Sequence, residues 1–178
     1  MNIDDLPGEL IMWILIASEV LIFGAGISVM TVLRLSDPEG FAAAQAMLDG
    51  RAAALNTLVL VTSGWFAARA ERAAIQGAHA AARWGLLLAA LGGIAFLFIK
   101  GLEYWHDIQH GIGMETHVFF TFYYLLTGFH AAHVLAGVFV LGLVAIRARP
   151  DPVQGGVMFW HMVDLVWVLI LPPIYLLG

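Results

Sequence analysis

A chain of 178 residues that is 61% apolar, 12% charged and free of cysteine lies outside the range of soluble globular domains and points to a polytopic membrane protein. Without cysteine it forms no disulfide, iron–sulfur cluster, thiolate metal site or covalent haem link of the Cys-x-x-Cys-His kind. Five apolar runs, at residues 9–34, 52–72, 83–105, 117–146 and 156–177, are each long enough for a ~30 Å hydrocarbon core at ~1.5 Å per residue. They lack the short alternating segments of a barrel. The expected architecture is all-α: one domain over residues 1–178, a membrane bundle of five transmembrane helices.

The chain opens with "MNIDDLPGEL", which has three acids and no Lys or Arg and so does not read as a signal peptide. Asp5 suits the cap of the first helix and Pro7 its first turn. The first run places Glu19 in "WILIASEVLIFGAG", roughly ten residues or ~15 Å deep. Ala17, Gly24 and Ser28 recur on this helix at helical spacing, a pattern that lets helices approach closely. The loop "LSDPEGFAAAQAMLDG" holds an Asp-Pro turn and then an Ala-rich stretch suited to a short surface helix.

The second run carries Asn56 and Ser63, seven apart and so on one face. On the third, Lys100 and Glu103 are an i, i+3 pair, and pairing with each other is the cheapest way to keep both in a membrane. Gly85 and Gly92 repeat the small-residue pattern there. The fourth run has His130 and His133, again i, i+3. The last reads "FWHMVDLVWVLILPPIYLLG", with His161 and Asp164 on one side of the helix. Ionisable groups at bilayer depth cost at least a few kcal/mol, so this pair is expected to face the interior and hydrogen-bond to other helices. Trp160, Asp164 and Trp167 form one stripe, expected to face protein, with Leu165, Leu169 and Leu176 toward lipid.

With five spans, Arg69, Arg72, Arg83, Arg147 and Arg149 share a side and Arg34 and Arg51 lie opposite. That bias puts the N-terminus in the cytoplasm and the C-terminus in the periplasm. Trp13, Trp84 and Trp160 at one set of helix ends and Tyr104, Trp105 and Tyr175 at the other suit interfacial belts.

Each polar position has two readings. For the histidines, interhelical hydrogen bonding competes with haem or metal ligation. His133 lies ~21 Å and His161 ~8 Å from the corresponding helix ends, a poor match for one haem plane. No Glu-x-x-His motif supports a carboxylate-bridged metal site. Glu19 reads equally as a neutral, hydrogen-bonded acid and as a proton-exchanging or lipid-contacting group; Asp164 shares the second reading. An independent proton-coupled carrier using Glu19 and Asp164 and a membrane cytochrome b are the rival functions at this level.

The motifs "ASEVLIFGAG", "ALNTLVLVTSGW", "KGLEYWHDI", "LTGFHAAHVLAGV" and "FWHMVDLVWVLI" resemble successive helix motifs of cytochrome c oxidase subunit III, in that family's order and across nearly the whole chain. The beginning resembles the third helix of the seven-helix subunit, so the resemblance is to a five-helix form. Residues 40–71 and the "LPPIYLL" ending are most like the NorE-type protein associated with nitric oxide reductase. The resemblance implies an accessory, non-redox subunit packed on a haem-copper catalytic subunit in the bacterial inner membrane. That partner is nitric oxide reductase in denitrification or, as the alternative, an oxygen-reducing cytochrome c or quinol oxidase. It implies no catalytic residue, metal or redox cofactor in this chain, and contact with phospholipid. Glu19 matches the family's carbodiimide-reactive buried carboxylate. Glu103, His130, His133, His161 and Asp164 match its other polar positions. Asn56, Ser63 and Lys100 complete the candidate polar network for lipid or partner contact.

Overall fold

The computed structural model describes residues 10–177. The expected start of the first span at Glu9 and the Asp5–Pro7 cap lie outside the described residues. Within them the chain is all helix: α1 (Leu10–Ser36), α2 (Pro38–Gln45), α3 (Gly50–Ile75), α4 (His79–Gln109), α5 (Val118–Ala145) and α6 (Pro150–Leu171), which runs on into a π-helical turn at Pro172–Leu176. The short α2 falls in the Ala-rich stretch after the Asp-Pro turn. Asp37 caps it, accepting a hydrogen bond from the Gly40 N–H at 3.1 Å, with Pro38 in the first turn.

Four helices among the described residues are long and apolar enough to cross a membrane: Leu10–Ser36, His79–Gln109, Val118–Ala145 and Pro150–Leu176. The protein is therefore multi-pass, but the expected count of five spans is corrected to four. The run at 52–72 does form a helix, α3, of 26 residues, which at 1.5 Å per residue is about 39 Å long. Its length suffices and its composition does not. Asn56, Thr57, Thr62 and Ser63 interrupt the apolar run, and Arg69, Glu71 and Arg72 close it. The placement of the N-terminus in the cytoplasm and the C-terminus in the periplasm required an odd number of crossings, and it falls with the count.

The tightest pairing is α3 with α4, followed by α4 with α5; α6 packs on both α5 and α3, and α1 lies outside against α6 and α5. Small residues explain the α3–α4 approach. A Cβ on Gly85 would sit 2.9 Å from the Ala70 methyl, and one on Gly92 would sit 2.6 Å from Ser63 Cβ. The same device was expected of Gly24 and Ser28 on α1, and the structure corrects it. Nothing lies within 4 Å of a Cβ on Gly24, and the outward-facing Ser28 hydroxyl donates to the Gly24 carbonyl of its own helix. Gly77 and Gly111, both at φ 76°, end α3 and α4 in the left-handed conformation that glycine adopts without strain.

The main core gathers Leu60, Leu86, Phe96, Val134, Leu141, Trp160, Val163 and Trp167 from α3, α4, α5 and α6. A second core joins Phe23 and Met30 of α1 and Phe41 of α2 to Phe119, Tyr123, Val166 and Ile170. Trp160 does not belong to an interfacial belt: it is fully buried, its ring received by Gly93 of α4 and Gly137 of α5. Leu165, Leu169 and Leu176 face outward.

Candidate functional site

An extended polar assembly among the described residues is built on the C-terminal half of α4. Lys100, Glu103 and Asp107 recur at spacings of three and four, so all three project to one side. Lys100 is 1% exposed. Its ammonium donates to Glu103 Oε1 at 3.0 Å, to Tyr123 OH of α5 at 3.1 Å and to Tyr175 OH of the terminal turn at 2.6 Å. All three of its N–H bonds are thereby used. Aromatic faces complete the cage, with Tyr123, Tyr104, Tyr175 and Trp167 ring centroids 4.6 to 5.8 Å from the nitrogen.

Glu103 Oε1 also receives Tyr123 OH at 2.8 Å and Tyr175 OH at 2.6 Å. Tyr123 OH lies 3.2 Å from Asp107 Oδ2 as well. Tyr104 OH and Thr127 Oγ1 form a second hydroxyl pair beside the cage. Ion pairing of Lys100 with Glu103, hydrogen bonding and π contacts thus hold one cation and two carboxylates among apolar helices. The arrangement ties the end of α6 to α4 and α5.

A second pair joins α1 to α5. His133 Nε2 is 3.3 Å from Glu19 Oε2, within ion-pair distance, although the angles do not make a regular hydrogen bond. The other ring nitrogen, Nδ1, is 2.9 Å from the Phe129 carbonyl. A carbonyl only accepts, so Nδ1 carries the proton. That leaves Nε2 as the ring nitrogen that faces Glu19. Glu19 is 7% exposed, and this contact is what anchors a polar group on the loosely packed α1.

The remaining candidates are dispersed. His130 is fully buried, stacked on Trp167 at 5.3 Å and edge-on to Phe96 at 5.4 Å; neither ring nitrogen has a protein hydrogen-bond partner. Ser63 bridges three helices: its hydroxyl donates to the Ala89 carbonyl of α4 and accepts from Trp160 Nε1 of α6. Asn56 is fully buried on the same face of α3, with both amide atoms unpaired by protein. Beside it, Thr57 Oγ1 accepts from Trp167 Nε1 at 3.0 Å.

His161 and Asp164 do not reach a hydrogen-bond partner on another helix. Their Nδ1–Oδ2 separation is 3.8 Å, and the His161 ring is half exposed. Asp164 instead presses against α3 where Gly64 leaves room for its Oδ2. The two tryptophans of the proposed protein-facing stripe are buried, with Asp164 between them only partly covered. Sequence reasoning missed Tyr123, Tyr175 and Asp107. Asp107 was legible as the i+4 neighbour of Glu103; Tyr175 reads as an interfacial aromatic until the turn folds it inward.

Outside the spans, His117 and Asp37 lock two helix starts together. His117 Nδ1 accepts the Phe119 N–H at the start of α5, so its Nε2 donates to Asp37 Oδ2 at 3.1 Å. His117 and the Gly40 N–H hold the Asp37 carboxyl below its ordinary value.

The model of cytochrome c oxidase subunit III matches residues 9–178. The chain belongs to that family. It is 35% identical over 133 residues to cytochrome c oxidase subunit 3 of Corynebacterium diphtheriae, covering 67% of this chain and 62% of that one. It is 29% identical over 166 residues to the protein of the same name from Synechocystis, covering 88% and 68%. A heme-copper oxidase subunit I+III of Aeropyrum pernix is 26% identical over 179 residues, covering 93% of this chain and 22% of its own length. The chain thus spans about two thirds or less of these relatives. In this subunit III family member the matched region takes in every helix described above, together with both the Lys100 cage and the Glu19–His133 pair.

Proposed function

We propose that this protein is an accessory, non-redox membrane subunit of a haem-copper enzyme, seated in a bacterial inner membrane against the catalytic subunit. The observation that carries the reading is the family match over residues 9–178. The Aeropyrum relative supports the partner class, because its name joins subunits I and III in one polypeptide. The geometry is consistent with a supporting role. The polar side chains of the Lys100 cage are bonded to one another, and Glu19 is paired with His133. In this reading the subunit holds no haem or metal of its own, folds as one domain, and contacts phospholipid and its partner through its outward apolar faces.

For the partner we favour nitric oxide reductase, on the resemblance of residues 40–71 and of the "LPPIYLL" ending to NorE-type proteins. The second reading is an oxygen-reducing oxidase, favoured by the name cytochrome c oxidase subunit 3 among the relatives. The test is affinity purification of the tagged chain from its native membrane in mild detergent. The absorption spectrum and the nitric oxide and oxygen consumption of the co-purified material are then measured. Nitric oxide consumption supports the first reading and oxygen consumption alone the second. Recovery of the chain with no haem protein sinks both.

A further inference from the structure

Beside the Lys100 cage, and sharing Glu103 and Asp107 with it, a cleft of about 330 Å³ opens between the start of α3 and the end of α4. Its walls are Met47, Ala52, Ile99 and Leu102, and its polar groups are Asp49, Glu103, His106 and Asp107. Asp107 is 3% and Glu103 8% exposed.

The charges do not balance. Among the described residues Lys100 is the one Lys or Arg in contact with Glu103, and its three donors are spent on Glu103 Oε1 and the tyrosines, none on Asp107. Glu103 Oε2 is buried without a donor. Oε1 is taken by Lys100, Tyr123 and Tyr175, so Oε2 is the oxygen of this cleft-lining residue that lacks a donor. Asp107 has a shared phenol on Oδ2 and, 3.9 Å from Oδ1, a His106 ring that is mostly exposed. Asp49 adds a third carboxylate, with one oxygen accepting the Arg51 N–H. A buried, unmatched acceptor is costly, and a cation that reaches it is correspondingly well bound.

The geometry points to this cleft as the receptor for a lysine or arginine side chain of a partner polypeptide. Its floor is anionic while its walls are apolar, which suits a charged head on a methylene stem. A metal ion is the poorer occupant, because among the described residues no three His, Asp or Glu side chains converge as ligands. A zwitterionic phospholipid would bring a phosphate to three carboxylates with no Lys or Arg lining the cleft to receive it. The proposal rests on the chain having a partner, as argued above, but the cleft is testable on the isolated chain, so failure of one reading is distinguishable from failure of the other.

The probe is n-butylammonium, the lysine side chain without its backbone, titrated into the purified full chain in detergent while the unfolding temperature is followed. The expected result is a saturable rise. n-Butanol and sodium at the same concentrations should not produce it. Asp107→Asn should weaken the apparent affinity about tenfold or more, the usual worth of a hydrogen bond to a charged group. Asp49→Ser is the second variant: its hydroxyl keeps the cap on α3 while the charge goes, and a weaker response to n-butylammonium is expected there too. An equal rise with sodium, a response unchanged in both variants, or a rise with dihexanoyl phosphatidylethanolamine but none with n-butylammonium would overturn the proposal.

Discussion

Replacing Lys100 by methionine tests whether the cage is what ties the end of α6 into the bundle. Methionine keeps most of the volume and removes the ammonium. Three hydrogen bonds are lost, at 3.0, 3.1 and 2.6 Å, two of them to groups outside α4. Interhelical hydrogen bonds in membrane proteins average about 0.6 kcal/mol and reach about 1.7, so the two that leave α4 are worth roughly 1–3.5 kcal/mol. Glu103 is also left as a buried carboxylate without its cation, and breaking a buried pair from one side costs about 3–5 kcal/mol. The two figures describe one loss by different routes and meet near about 3 kcal/mol. The double variant Lys100→Met with Glu103→Leu removes the stranded charge, leaves Tyr123 its contact with Asp107, and should recover about half of the loss. The assay is reversible unfolding in mixed micelles of rising SDS content, followed by tryptophan fluorescence, because Trp167 lies beside the cage. A cost under about 1 kcal/mol for Lys100→Met, or a double variant less stable than the single by the full cost of Glu103→Leu, would refute the reasoning.

Gly93→Ala and Gly137→Ala each drive a methyl into the buried Trp160 ring, at 2.5 and 2.6 Å, and should destabilise by about 1–3 kcal/mol through overpacking. Gly24→Ala, with open space around its Cβ, should be neutral or stabilising by up to about 1 kcal/mol in the same unfolding assay. Glu19→Gln keeps a donor for His133 Nε2 whereas Glu19→Leu does not, so Leu should be the less stable by about 0.6–1.7 kcal/mol, read from unfolding temperatures; equal stability would remove the pair from the account of how α1 is held. Asp37 is held below its ordinary value by His117 and the Gly40 N–H. A depressed carboxyl contributes stability above its unfolded value, near about 4, and loses it as the pH falls through its own lower value. The unfolding temperature should therefore drop on acidification below about pH 4, and Asp37→Asn should remove that part of the drop.

Several features were legible because they depend on local spacing. The i, i+3 rule puts Lys100 and Glu103 in reach on one helix, and they are 3.0 Å apart. Gly85 and Gly92 mark a close helix contact, and the contact exists. The same rule misled at Gly24 and Ser28, because small residues permit a close approach and do not bring a neighbour to it. The count of spans failed at α3 because its polar residues serve the interior. Ser63 and Thr57 accept from Trp160 and Trp167, and that requirement dilutes the apolar run below what a crossing needs by composition alone.

Composition and the lengths of the apolar runs by themselves determined that this is an all-helical, multi-pass membrane protein, since only helices satisfy every backbone group within one segment. The order of its motifs by itself placed it in the subunit III family. Tertiary structure alone decided the partners of the polar groups. Tyr123 and Tyr175 come from positions 23 and 75 residues beyond Lys100, and Glu19 meets a histidine four elements away. No periodicity encodes such meetings, because they depend on which faces of different helices are turned toward each other and at what height. Helix packing sets both, through the fit of glycines to the Trp160 ring and of small residues between α3 and α4.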